Sequence, residues 1–269
     1  MCQEFCGTEA VHSSLRALDR RGLLKGAAAT AAATALGACA TTPNPETGRD
    51  QFIIVDESQL AQASLSAWAQ VRQQTPEWRN ASAQRRVETV GRRVVQAAGR
   101  GNQSWEFVLF DSPQKNAFVL PGGQVGFYRG LYEISERDDW IATVLGHETG
   151  HVTGRHAAER YSREYATQLG LQIVGTQVNS QLAMAALGLG AQVGVSLPFS
   201  REQESEADIL GIRYMQAAGY DPKQAIPFWQ RMEQGGGSRP PEFLSTHPNP
   251  DNRIQRIRDY INAQGWGPV

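Results

Sequence analysis

The sequence is short of cysteine, and what it has sits at one end. Cys2, Cys6 and Cys39 are the three, and no thiol occurs from residue 40 to residue 269. A disulfide framework or a cysteine-ligated structural zinc is thereby excluded from that stretch. An uninterrupted apolar run of about 20 residues, the length a membrane-spanning helix needs, is missing too. The longest apolar piece of the later chain, Leu182–Ala191, is too short. Nor is there an excess of charge: 26 Lys and Arg stand against 27 Asp and Glu, a formal net charge of -1. Without a basic footprint, nucleic acid is not an expected partner. What remains, 41% hydrophobic and 20% charged residues over 269 positions, is the composition of a globular chain large enough to bury a core.

The first forty residues read as an address. Arg20-Arg21-Gly22-Leu23-Leu24-Lys25 leads into an alanine-rich apolar run and then Leu36-Gly37-Ala38-Cys39. Positive charge, a short apolar segment and small residues before a cleavage point describe a secretory signal rather than a span. The arginine pair resembles a twin-arginine signal, and Leu-Gly-Ala-Cys resembles a bacterial lipobox. The expectation is a signal peptide over 1–38, cleavage before Cys39 and lipid on that residue. Ala40 after the cysteine points to the periplasmic face of the outer membrane. Residues 39–50 then form a lipidated tether, rich in Pro and Thr, and residues 51–269 form one domain.

Within that domain, Gln51–Asp56 reads as a strand, and residues 57–72 and 80–98 read as helices. Trp105–Phe110, Asn116–Leu120 and Gln124–Tyr128 are short β-branched and aromatic runs, with a hairpin signal at Pro121-Gly122-Gly123 between the last two. From Ser135 onward the pattern is almost entirely helical. The fold class is α+β, mainly helical with a small sheet.

Ser135 with Asp138 reads as a capping box that opens a helix carrying His147-Glu148-Thr149-Gly150-His151. Histidines at i and i+4 share one helical face and can hold one metal ion. Glu148, one residue round from the first, is placed to take a proton from water held at that metal rather than to bind the ion. Two histidines leave a zinc site incomplete. His156 stands one residue from the position where a third histidine ligand would fall, about 100° of helix away, and reads as a structural histidine near the helix end. A better candidate lies on the helix capped by Ser200 and Gln203. There Glu204, Asp208, Gly211 and Met215 form one stripe, while Glu202 and Glu206 project elsewhere as solvated charge. Glu204 would complete a His2Glu site with an open fourth position, and Asp208 could orient a ligand histidine, although an ordinary acidic helix shares this spacing.

Asn116-Ala117-Phe118-Val119-Leu120-Pro121-Gly122-Gly123, the HETGH pentad, Ser200–Asp208 and the late Ser245-Thr246-His247-Pro248 resemble, together and in order, the HtpX and CAAX prenyl protease family of zinc peptidases, metallopeptidase family forty-eight. Within it the chain looks most like periplasmic lipoproteins of the LoiP and BepA kind, without the helical-repeat domain of the latter. The resemblance implies a zincin-type domain with one Zn2+ on His147, His151 and Glu204. Glu148 is then the general base, Asp208 supports a ligand, and Asn116, Ala117, Phe118 and Val119 form a sheet edge beside the cleft on which an extended peptide docks. It further implies His247 as a removable inhibitory fourth ligand and Arg253 as a charge near the developing oxyanion.

The expected function is metalloendopeptidase quality control of misfolded or stalled envelope proteins. Unfolded chains, outer-membrane barrel proteins and their assembly machinery are the expected partners, with the membrane reached through the lipid anchor. The alternative is a chaperone-like assembly factor with a mostly closed zinc site. Residues 165–200 contain no charged side chain and fit either core helices or a cover over the cleft, with Gly188, Gly190 and Gly194 as hinge points.

Overall fold

In the computed structural model the described residues are 41–173, 199–234, 242–250 and 252–269, with side chains described up to residue 167 of the first stretch. The expected signal peptide, the lipidated Cys39 and the hinge glycines lie outside them. Thr42–Val269 is one compact unit.

The chain opens with a small hairpin, β1 (Thr41–Pro43) and β2 (Asp50–Phe52). This differs from the tether and the longer strand expected here. Residues 44–51 are docked: Asn44 and Gln51 are buried, and their side-chain amides both donate to Gly154 O, at 3.3 and 2.7 Å. Pairing stops at Phe52, and shortly beyond it the backbone N–H groups of Ile54 and Val55 donate to the Ser162 hydroxyl instead.

Two helices follow, α1 (Glu57–Gln74), capped by Asp56, and α2 (Ala81–Ala97), capped by Asn80. In α2 the buried residues Val87, Val90, Val94 and Val95 recur at helical spacing, and its arginines lie on the other face. The main sheet consists of β3 (Glu106–Phe110), β4 (Ala117–Val119) and β5 (Gln124–Tyr128) in the order β3-β5-β4. β5 runs parallel to β3, with Glu106 opposite Gln124, and antiparallel to β4, with Val119 opposite Val125. The expected hairpin is present, and Gly123 takes the φ of +88° its turn requires. Among the described residues β4 is paired on one side only and is an edge strand.

A short helix missed by the sequence reading, α3 (Arg129–Ile134), follows β5 directly. Ser135 closes α3 rather than opening the next helix: its hydroxyl donates to Leu131 O. The expected capping box is therefore absent. The next helix, α4 (Asp138–Thr153), has Arg137 at its N-cap without a side-chain bond, and Asp138 and Asp139 supply the negative charge of its first turn. After it come α5 (His156–Ile173) and α6 (Arg201–Ala217), then α7 (Ala225–Gln234), α8 (Glu242–Thr246) and α9 (Arg253–Ala263). The capping box expected at Ser200 and Gln203 is formed.

The core gathers Leu109, Phe127, Leu131, Ile141, Leu145, Leu210, Met215, Phe228, Trp229, Phe243 and Ile257 between the sheet, α2, α4 and the C-terminal helices. α4 lies at its centre, buried nearly throughout and packed on both β4 and α6. Its contact with α6 is unusually close because glycines and alanine meet there. A Cβ added to Gly211 would fall 2.8 Å from His147 N, and one on Gly150 would fall 2.9 Å from Ala207 O. Bare backbones let the two helices that carry the expected ligands approach each other.

Candidate metal centre

Four side chains from three elements converge in this region. His147 and His151 project from α4, Glu204 from the first turn of α6, and His247 from the segment just after α8; all four are buried, and one donor atom of each lies within 4.8 Å of the others. His147 Nε2 is 3.1 Å from His151 Nε2 and 3.3 Å from Glu204 Oε2, and His151 Nε2 is 3.4 Å from Glu204 Oε1. His247 brings Nδ1 to 3.0 Å from Glu204 Oε1 and 3.2 Å from His147 Nε2. Its ring stacks on Phe243 with centroids 4.2 Å apart.

The outer contacts prepare these donors. Asp208 accepts at 2.9 Å from His147 Nδ1, so Nε2 is the nitrogen turned to the cluster and the one whose lone pair a metal would take. Arg253, expected beside a developing oxyanion, is buried and turned to the carboxylates instead: Nε donates to Asp208 Oδ2 at 2.8 Å and Nη2 to Glu204 Oε2 at 3.0 Å. Its guanidinium lies 4.2 Å from the Trp229 ring centroid. The physical reason is charge balance, since two buried carboxylates side by side need a cation.

His156 begins α5 and is not a donor to the cluster. Its Nδ1 lies 2.9 Å from His151 Nδ1 and its Nε2 3.1 Å from Glu206 Oε2. Glu206, expected as solvated charge, is half-buried and also meets Arg49 at 2.8 Å and the Thr47 hydroxyl at 2.6 Å. Sequence reasoning missed this group because Arg49 and Thr47 lie more than 150 residues from Glu206; the available signal was Arg49 as the one basic residue between Lys25 and Arg72. Glu202 is exposed as expected.

Electrostatics follow the same plan. Burial alone would lower the His147 imidazole, but the Glu204 charge and the Asp208 bond outweigh it and leave it raised to about 9 without a metal. Burial holds His151 well below its ordinary value. Burial also works against ionised Glu204, yet the neighbouring His247 and His147 pull it well below the usual carboxylate range. An ionised carboxylate and two imidazole nitrogens, buried and already turned inward, are a donor set that suits zinc.

Glu148 differs from Glu204. It is buried, and burial raises its pKa against the pull of neighbouring His247 and His147 and of the Val119 backbone on β4. Among the described residues its Oε1 has no hydrogen-bond partner, and His247 Nε2 stands 3.5 Å from it. An orphaned buried carboxylate oxygen beside a metal-donor cluster is placed to accept a proton.

Comparison with known proteins agrees with this geometry. Residues 81–261 match peptidase family M48. The chain is 35% identical over 179 residues to the mitochondrial metalloendopeptidase OMA1 of Schizosaccharomyces pombe, an alignment covering 65% of this chain and 52% of that protein. It is 34% identical over 194 residues to the beta-barrel assembly-enhancing protease of Yersinia pestis, covering 68% and 40%. With the protein of that name from Escherichia coli K12 the identity is 32% over 187 residues, covering 65% and 38%. The chain thus spans about half or less of the length of these relatives. Peptidases of the matched family use zinc. The family match covers well over half of the sequence, from α2 to α9, and encloses every donor of the buried cluster: the chain belongs to peptidase family M48.

Proposed function

We propose that the chain is a zinc-dependent metalloendopeptidase acting on unfolded or misfolded proteins of the bacterial envelope, held at the membrane by lipid on Cys39. The observation that carries this reading is the position of Glu148, with its unpartnered buried oxygen one residue from His147 and its link to the edge strand. Zinc held by His147, His151 and Glu204 supplies the Lewis acidity that polarises a peptide carbonyl and acidifies water.

The chain's own residues do the rest. We take Asn116–Val119 as the edge on which a peptide docks: among the described strands β4 pairs with β5 alone, and a peptide added on its other side pairs through its main chain with little demand on its side chains. Unfolded chain is the substrate class this suits. Val119 lies on that edge strand, which packs against the helix that carries Glu148, so a docked peptide and the general base share one frame. Glu148, its pKa raised by burial, takes a proton from water and returns it to the leaving amine. Asp208 orients His147, and Arg253 neutralises Asp208 and Glu204 without occupying the cleft.

Outer-membrane barrel proteins and their assembly machinery are the substrates and partners we favour. The names of the bacterial relatives and the lipobox-like Leu36–Cys39 support that choice. A second reading, a holding or assembly factor, draws on one observation: His247 sits among the donors and takes the place an open fourth position needs. Cleavage of casein by the purified chain tests both. Wild type is expected to cleave, while Glu148→Gln and chelator-treated wild type are not. Wild-type inactivity with zinc bound would move the conclusion to the holding reading.

A further inference from the structure

The contacts of Asp208 and Arg253 reach the donor cluster from α6 and α9. A second line reaches it through His151 and ends on the docked N-terminal strap, residues 44–51, outside the stretch that matches the family. His151 turns Nε2 to the cluster and Nδ1 to His156 Nδ1 at 2.9 Å. An imidazole that gives Nε2 to a metal carries its proton on Nδ1. His151 must then donate to His156, which accepts on Nδ1 and carries its own proton on Nε2. That N–H meets Glu206 Oε2 at 3.1 Å. The same carboxylate oxygen accepts from Arg49 Nε at 2.9 Å, and Thr47 Oγ1 donates to the other oxygen at 2.6 Å.

With His156 neutral, one order of protons satisfies every link from His151 to Arg49, and it is the order that frees His151 Nε2 for a metal. Arg49 also ties the end of the line to the frame. It donates from Nη1 and Nη2 to Glu159 at 2.9 and 2.7 Å, so one guanidinium joins α5 to α6. His147 has a carboxylate directly behind it in Asp208; His151 has one behind it at the remove of one imidazole.

We propose that Arg49 is a positioning residue for the metal centre, acting through Glu206 and His156 to fix the tautomer and ring orientation of His151. The strap is then part of the metal-binding apparatus. This rests on the reading of His147, His151 and Glu204 as zinc ligands. Such outer partners are worth about 10–100-fold in metal affinity elsewhere.

The test is zinc affinity of the full-length chain, read by competition with a chromophoric chelator, beside thermal unfolding of the metal-stripped samples. Arg49→Gln and Glu206→Gln are each expected to weaken zinc binding about tenfold or more. Because they act in series, the double variant should lose no more than the worse single one. Arg49→Lys, which keeps the charge but not the fork, should recover part of the loss. Arg72→Gln, at an exposed arginine paired with Glu77 and Glu106, should bind as wild type does.

Wild-type affinity in the strap variants, even with lowered unfolding temperatures, would show the strap to be a brace only and overturn the proposal. Additive losses in the double variant would break the series and overturn it as well. Failure of wild type itself to bind zinc would remove the ligand reading first, and this inference with it. If Arg49→Gln does not fold, Glu206→Gln decides on the same criterion.

Discussion

At the scale of single residues, His247 is the side chain whose removal should raise activity. Its Nδ1 lies within hydrogen-bonding distance of His147 and Glu204, and its Nε2 stands next to Glu148, so it fills the space a substrate carbonyl and a water need. His247→Ala should raise casein cleavage while zinc content, measured by metal analysis, is kept; unchanged or lower activity would show that the ring does not block the site. Glu159 carries a different prediction. Burial opposes its charge, but the Arg49 fork and the Gln203 amide outweigh it and bring its pKa down to about 2 from an ordinary 4.5. A carboxylate depressed in the folded state contributes stability that is full above about pH 4.5 and is lost as pH falls toward 2. Glu159→Gln should therefore melt well below wild type at pH 7, and the two melting temperatures should converge on acidification across that window. A gap that stays constant would mean the glutamate acts through shape rather than charge.

Between helices, the decisive feature is how closely α4 and α6 approach. Gly146 and Gly150 face Ala207 and Gly211, and the Cβ of an alanine at 211 would meet backbone atoms of Gly146 and His147, which cannot swing aside. Overpacking of this kind costs about 1–3 kcal/mol, and here it also pushes Glu204 away from the histidines. Gly211→Ala is expected to lower both the melting temperature and zinc affinity; loss of stability alone would mean the helices separate without disturbing the donors. These helices were legible in the sequence, because the pentad, the Ser200 capping box and the Glu204 stripe are all local patterns. The Ser135 cap was misread for an equally physical reason. A serine followed by an acidic residue fits a helix start, but the hydroxyl had a nearer acceptor in Leu131 O, at the end of a helix too short to show a period. Strand β2 was overextended in the same way, since nothing in its sequence reveals that Ser162 takes the N–H groups of Ile54 and Val55.

Over the whole molecule, what could be read early was what chain spacing fixes, and what escaped was what folding alone brings together. His147, Glu148 and His151 lie within one helix, and Glu204 was found by its stripe on a second. The partners of Arg49 on α5 and α6, and the commitment of Arg253 to two carboxylates, depend on packing that no periodicity announces. That distribution has a thermodynamic consequence. The proposed ligands come from α4 and α6, so zinc joins parts of the chain more than fifty residues apart and binds only when both helices are in place. A ligand that binds only the folded state adds about 2.7 kcal/mol at a hundredfold excess over its Kd, which for a chain of this size is a rise of roughly 5–10 °C in melting temperature. Arg253 and the histidines still balance Glu204 when the metal is gone, so chelator should lower the melting temperature without abolishing the cooperative transition. Glu148→Gln, which removes the proposed base but no donor, should keep the full zinc-dependent rise while losing peptidase activity. His151→Ala should lose both. If Glu148→Gln lost the rise as well, Glu148 would be a ligand rather than a base, and the assignment of roles on α4 would have to be reversed.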